Sequence, residues 1–170
     1  MTENVQRADV LIAGAGFAGL ALAIALRQAL GSSFVVAVAD PALGRAPSDA
    51  RASAIVAAAR RLFETIGVWD KVADEAQPII DMVITDSRLT DAMRPTYLTF
   101  GGDVEPGEPF GHMVENVPLL TALTEKARAE GVTLLPAAVA DFAVSAHSVK
   151  IDFRDSTSPP VVPAQAGTPI

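Results

Sequence analysis

Gly14-Ala15-Gly16-Phe17-Ala18-Gly19 spells G-x-G-x-x-G, and what flanks it constrains the fold more than any other feature of the chain. Upstream, residues 8–13 (ADVLIA) are short, apolar and partly β-branched, as a strand buried on both faces should be. Downstream, residues 20–30 (LALAIALRQAL) are rich in strong helix formers, and Gly31 stands where a left-handed cap belongs. A second apolar run, 34–39 (FVVAVA), ends at Asp40. Strand, crossover helix and parallel strand of about 30 residues make one βαβ unit.

In that setting each glycine has a physical task. The first turns the chain tightly out of the strand, the second removes a Cβ so that a pyrophosphate can approach backbone N–H groups, and the third lets helix and sheet pack closely. The helix N-terminus adds the positive end of its dipole. Asp40 follows the last glycine by about twenty residues, where a carboxylate accepts the two ribose hydroxyls of an adenosine. It would repel a 2′-phosphate, so the expected nucleotide is FAD or NAD rather than NADP. A tight strand-to-helix turn without a ligand is the competing reading.

Residues 10–26 carry no charge and Arg7 lies upstream, a pattern shared with signal peptides and short spanning helices. Three glycines in its first half and Asp9 at its flank favour the strand–turn–helix reading instead. Composition narrows function further. The chain has 170 residues and no cysteine, which removes disulfides, thiolate metal sites and cysteine nucleophiles. A net charge of −7 and 5% aromatic residues argue against a nucleic-acid partner.

Beyond Asp40, residues 48–72 read SDARASAIVAAARRLFETIGVWDKV. Ser53 suits an N-cap, Ile55, Ala58, Leu62 and Ile66 recur at helical spacing, and Gly67 can end the helix. Arg51 then stands just before a helix, with a planar fork of donors suited to a diphosphate or a flavin edge.

Together, Gly14 to Gly19, Asp40, and Asp49-Ala50-Arg51-Ala52 leading to Ile66-Gly67-Val68-Trp69 resemble the FAD-dependent aromatic hydroxylases, in particular the ubiquinone-biosynthesis branch. A second block agrees: Gly111-His112-Met113-Val114-Glu115-Asn116-Val117-Pro118-Leu119-Leu120, followed by Thr121-Ala122-Leu123. The resemblance covers residues 8–153. It implies an α/β, Rossmann-like FAD/NAD(P)-binding fold with a parallel sheet, plus part of a β-rich substrate-facing sheet over residues 79–110. It also implies that Gly14, Ala15, Gly16, Phe17, Ala18 and Gly19 cradle the FAD pyrophosphate and that Asp40 holds the adenosine ribose. Arg51 would lie near the pyrophosphate and the flavin side, and Asn116 would touch the cofactor's linking portion. Asn116 also suits the N-cap of a helix that Pro118 starts and Gly131 ends.

The chemistry implied by the family is hydroxylation of an aromatic small molecule, in this branch a polyprenylated phenol, with NAD(P)H and O2 as co-substrates and no protein nucleophile. A cytoplasmic location, with peripheral contact at the inner membrane surface or with a ubiquinone-biosynthesis complex, belongs to the same expectation. An NAD-dependent oxidoreductase and a non-catalytic nucleotide-binding remnant are the alternatives.

Other residues carry no such chemistry. Arg60 and Arg61 read as the solvated face of a helix, His112 as a lone strand histidine and His147 as a turn residue. Asp103, Glu105 and Glu108 lie among glycines and prolines, as in a loop between strands. Strands are expected at 79–85, 96–100 and 132–135, a helix at 118–130, and a hairpin from 140–145 with 149–153. Full members of the family run to roughly twice this length. They continue to an Asp-Gly motif and a later Gly-Asp segment, neither of which follows Phe153 here. Residues 1–155 therefore read as the N-terminal portion of an FAD-binding domain and 156–170 as a Pro-rich, disordered tail.

Overall fold

The structure is a computed structural model and describes residues 7–154 apart from 86, 87, 89 and 91, so the tail at 156–170 lies outside the described residues. Along the chain run β1 (Val10–Ala13), α1 (Phe17–Leu30), β2 (Val36–Ala39), β3 (Ala52–Val56) and α2 (Ala57–Thr65). Five strands follow: β4 (Gln77–Ile79), β5 (Asp81–Thr85), β6 (Thr96–Gly101), β7 (Asp103–Glu105) and β8 (Glu108–Pro109). The remainder is β9 (Gly111–Glu115), α3 (Asn116–Ala129), β10 (Thr133–Leu135), β11 (Ala138–Val144) and β12 (Val149–Arg154).

The βαβ unit forms as the sequence leads one to expect. β1 pairs in parallel with β2, Val10 opposite Val36, and β10 pairs in parallel on the other side of β2. Gly31 ends α1 with φ 80°, its N–H donating to Arg27 O. One expectation reverses: the strand buried at every position is β2, which lies between two neighbours, whereas β1 borders the described sheet and is only half-buried. Helix α1 packs on β1, β2 and α3. Leu20 and Ile24 from α1, Val36 and Val38 from β2, and Leu119 and Leu123 from α3 are completely buried. These six side chains form the middle of the core, each withdrawing an area of apolar surface worth roughly 1.5–3 kcal/mol. Helix α3 turns Leu119, Ala122, Leu123 and Ala127 inward and leaves Leu120 half-buried.

The helix expected to start at Ser53 does not. Residues 52–56 form β3, which pairs antiparallel with β9, Ile55 opposite His112, and β4 flanks β9 on its other edge. Helix α2 begins four residues after Ser53 and buries Ala57 and Phe63, with Ile66 beyond its end, while Ala58 and Leu62 are exposed. Alternation along A-S-A-I-V, with Ile55 inward and Val56 outward, is the strand period, and pairing with β9 outweighs the helix propensity of the alanines. Gly67 does end the segment, at φ 71°.

Among the described residues between β4 and β9, the strands form two antiparallel ribbons, β5 with β6 and β7 with β8. The acids expected in a loop therefore flank a tight hairpin turn at Pro106-Gly107. Arg60 and Arg61 are not simply solvated, since Arg60 pairs with Glu64 and Glu108, and Arg61 with Glu105 and Glu108. They tie α2 to the hairpin. The β11–β12 hairpin forms as expected, with His147 in its turn.

Candidate cofactor-binding site

Three segments meet beside the glycine turn. Gly14 N–H donates to Ala39 O and Asp40 N–H to Leu135 O, each extending a parallel ladder by one rung. The turn after β1 is thereby held against the end of β2. Asp40 Oδ2 accepts from Ala15 N–H at 2.8 Å, and Oδ1 accepts from Ala42 N–H at 2.7 Å. A carboxylate offers about four acceptor positions, so each oxygen of Asp40 keeps one.

The glycines divide by cause. Gly14 has φ 110°, which L side chains rarely adopt. A Cβ on Gly19 would lie 2.0 Å from Gly14 O, so the helix can approach its own turn only without one. Gly16 is different. Its φ −76° and ψ −177° suit any residue, and a Cβ there would meet nothing within 4 Å. Nothing inside the protein demands glycine at this position. Gly16 is also the N-cap of α1, whose first turn has no side-chain cap and no acidic residue. The N–H groups of that turn are therefore open to an anion.

Gly16 and Phe17 border a groove of about 660 Å³ that is also lined by Ala42, Arg45, Asp49, Arg51, Asn116 and Leu120. Here the expected Arg51 and Asn116 converge, although not as the sequence suggested. Arg51 precedes a strand rather than a helix, and its side chain is 83% exposed. It forms a fork with Asp49: Nε donates to Oδ1 and an Nη2 hydrogen to Oδ2, both at 2.8 Å. Asn116 is the first residue inside α3, not its cap; Glu115 occupies the cap position, and the helix starts two residues before Pro118. The Asn116 amide spans two elements, Nδ2 donating to Asp49 Oδ2 at 2.8 Å and Oδ1 accepting from Ser53 Oγ at 2.7 Å. Hydrogen bonds from Arg51, then from Asn116, hold the Asp49 carboxyl well below the usual carboxylate range. Arg45 carries no signal in the sequence, and Asp49 and Ser53 enter the sequence reading only as part of the Asp49-Ala50-Arg51-Ala52 stretch and as a helix cap, not as site residues. The Asp-x-Arg spacing was the available signal for Asp49, because it suits an Asx turn closed by an ion pair.

Asp40 is thus bonded to Ala15 of the turn, while Asp49, Arg51 and Asn116 line the groove that Gly16 borders. Among the described residues no group of His, Asp and Glu could hold a metal. His112 lies outside the groove, edge-on to Trp69 at 5.3 Å between ring centroids. Burial pushes its imidazole below the ordinary value, and its Nδ1 has no hydrogen-bond partner.

A parallel βαβ unit with this turn, an open helix N-terminus and an acid closing the second strand define a dinucleotide-binding domain. The chain belongs to the FAD binding domain family, which matches residues 7–157, and FAD is its cofactor. Ubiquinone hydroxylase UbiL of Rhodospirillum rubrum is 43% identical over 130 residues, 75% of this chain and 29% of that protein. Among solved structures, the flavin-dependent monooxygenase PieE, in complex with FAD and substrate, is similar at TM-score 0.63 and 21% identity. That match covers 88% of this chain and 28% of PieE. The tetrameric form of 2-methyl-3-hydroxypyridine-5-carboxylic acid oxygenase matches at TM-score 0.55 and 23% identity, over 82% of this chain and 34% of that one. These two likenesses concern the fold. The chain spans about a third or less of each of these proteins. No helix among the described residues is long and apolar enough to cross a membrane.

Proposed function

We propose that the chain supplies the adenosine and diphosphate end of the FAD site in an NAD(P)H- and O2-dependent aromatic hydroxylase whose substrate is a polyprenylated phenol of ubiquinone biosynthesis. The observation that carries the binding reading is Gly16: a residue with ordinary dihedrals and open space where its Cβ would point, at the uncapped N-terminus of α1. A ligand backing closely onto the turn gives glycine a reason there beyond its modest preference as a helix N-cap.

In this reading Asp40 uses its two remaining acceptor positions for the ribose hydroxyls, and Gly14 to Gly19 present backbone N–H groups to the diphosphate. Arg51 adds positive charge beside the diphosphate, and Asn116 fixes the wall of the groove near the cofactor's linking portion. FAD supplies the redox chemistry when bound, passing electrons from NAD(P)H to O2. The chain's own residues bind and orient it. The phenol reading rests on the 43% identity to a ubiquinone hydroxylase. Apolar side chains exposed along β5 and β6, among them Met82, Val83, Leu98 and Phe100, fit strands that border an apolar substrate.

Titrating the chain with FAD while following flavin fluorescence, with NAD in a parallel titration, tests the binding reading. Saturable quenching by FAD at a ratio of one, with weaker binding of NAD, is expected. No binding of FAD by a folded chain would refute it. Product analysis with a polyprenylated phenol, using the complete hydroxylase, tests the substrate.

A further inference from the structure

We propose that Asp49 is a positioning residue of the FAD site, a buttress that aims Arg51 and Asn116 at the cofactor without touching it; this rests on the FAD reading above. Four donors occupy its carboxylate. Oδ1 accepts from Arg51 Nε at 2.8 Å and from Arg51 N–H at 3.1 Å, and Oδ2 accepts from Arg51 Nη2 and Asn116 Nδ2, both at 2.8 Å. These fill its acceptor positions, so it has none for a ribose or any other ligand group. An acid on the wall of a diphosphate groove would by charge alone weaken binding. Here the charge is spent internally.

The geometry of the Arg51 fork gives it a purpose. Asp49 engages the side of the guanidinium, Nε and one Nη2 hydrogen, which leaves both Nη1 hydrogens and the second Nη2 hydrogen on the opposite edge. That edge is itself a two-pronged fork suited to phosphate oxygens. Without Asp49, an exposed arginine would sample many rotamers and lose entropy on binding. The same carboxylate also decides the amide orientation of Asn116. With Nδ2 on Asp49, Oδ1 faces Ser53 Oγ on β3. Arg51 O accepts from Asn116 N–H at 3.0 Å, so the loop before β3 and the start of α3 are joined through backbone as well.

The test is FAD affinity of the full chain carrying Asp49→Asn, Arg51→Lys or both, with melting temperature as the control for folding. Asp49→Asn retains the shape and removes a negative charge. Charge alone predicts tighter FAD binding; the buttress predicts weaker binding, by a factor of about ten, the scale of a charge-assisted hydrogen bond. Arg51→Lys should cost a similar factor in the wild-type background and little when combined with Asp49→Asn, because the two residues act as one unit. Asp49→Ala serves as the second variant if the Asn side chain finds new partners, with the same direction expected. If the wild-type chain binds FAD and both Asp49 variants match or exceed it, the buttress is overturned and the FAD reading stands. A folded wild-type chain that binds no FAD overturns both.

Discussion

Gly16→Ala separates a ligand-driven glycine from the two structural ones. Within the protein the added methyl meets nothing within 4 Å, and the backbone at φ −76° accepts it. Alanine is a poorer N-cap than glycine by about 0.5–1 kcal/mol, and the loss of glycine's unfolded-state freedom returns about 0.4–1 kcal/mol. The net change in stability should lie within about 0.5 kcal/mol. Gly19→Ala should be far worse, because its Cβ would sit 2.0 Å from Gly14 O and backbone must move, at a cost of about 1–3 kcal/mol or more. Gly14→Ala is strained at φ 110°, at about 1–3 kcal/mol. FAD affinity should rank differently. Holding the diphosphate away from one backbone N–H at position 16 loses a hydrogen bond to a charged group, about 1.5–3 kcal/mol, or roughly ten- to a hundredfold. Urea denaturation and flavin-fluorescence titration of the three variants supply both rankings. A Gly16→Ala chain that binds FAD as tightly as the wild type would refute the argument that the open space at Gly16 belongs to the cofactor.

His112→Phe should flatten the acid limb of the stability profile. Burial, aided by Arg60, lowers the folded-state pKa below the ordinary 6.5, so the unfolded chain takes the proton first and stability is lost as pH falls from about 7 through that range. Urea melts at pH 7.5, 6.5 and 5.5 would show a smaller loss for the variant; equal slopes would contradict it. Leu119→Ala, at a position with no exposure between α3 and the core, should cost about 2–5 kcal/mol by the same denaturation assay. Asp40→Asn should weaken adenosine as well as FAD, whereas Asp49→Asn should weaken FAD and leave adenosine unchanged, read by competition in calorimetry. Equal effects of the two variants on adenosine would show that the acids are not specialised.

The βαβ unit could be read from the chain because each of its signals is local: a positive-φ glycine, a run of small helix formers, an apolar strand ending in an acid. The β3 region could not. Alanines in A-S-A-I-V satisfy a helix as well as a strand, and the deciding partner, β9, lies near residue 112. Without it, Ile55, Ala58, Leu62 and Ile66 imitate a helical stripe, yet Ala58 and Leu62 face solvent. The Asp49 cluster has the same structure. Its Arg51 half is two residues away and legible as Asp-x-Arg, while its Asn116 half is 67 residues distant and becomes visible only when β9 delivers α3 to the loop.

Asp40, bonded to the glycine turn, and Asp49, on the wall of the groove, have opposite proposed tasks, and burial is not what separates them. Asp40 accepts two backbone N–H groups, one on each oxygen, and so stays half-filled beside the turn. Asp49 accepts four donors from Arg51 and Asn116 and is full. A half-filled carboxylate can read hydroxyl donors; a full one can only organise its neighbours. The β1–β2 ladder brings Ala15 to Asp40 and the β3–β9 ladder brings Asn116 to Asp49, one distant donor each, while Arg51, two residues along the chain, supplies the other three donors of Asp49. The proposed division between reading the ribose and bracing the diphosphate therefore follows from the arginine two residues after Asp49, in whose place Asp40 has only the Ala42 N–H, not from any difference in the two carboxylates themselves.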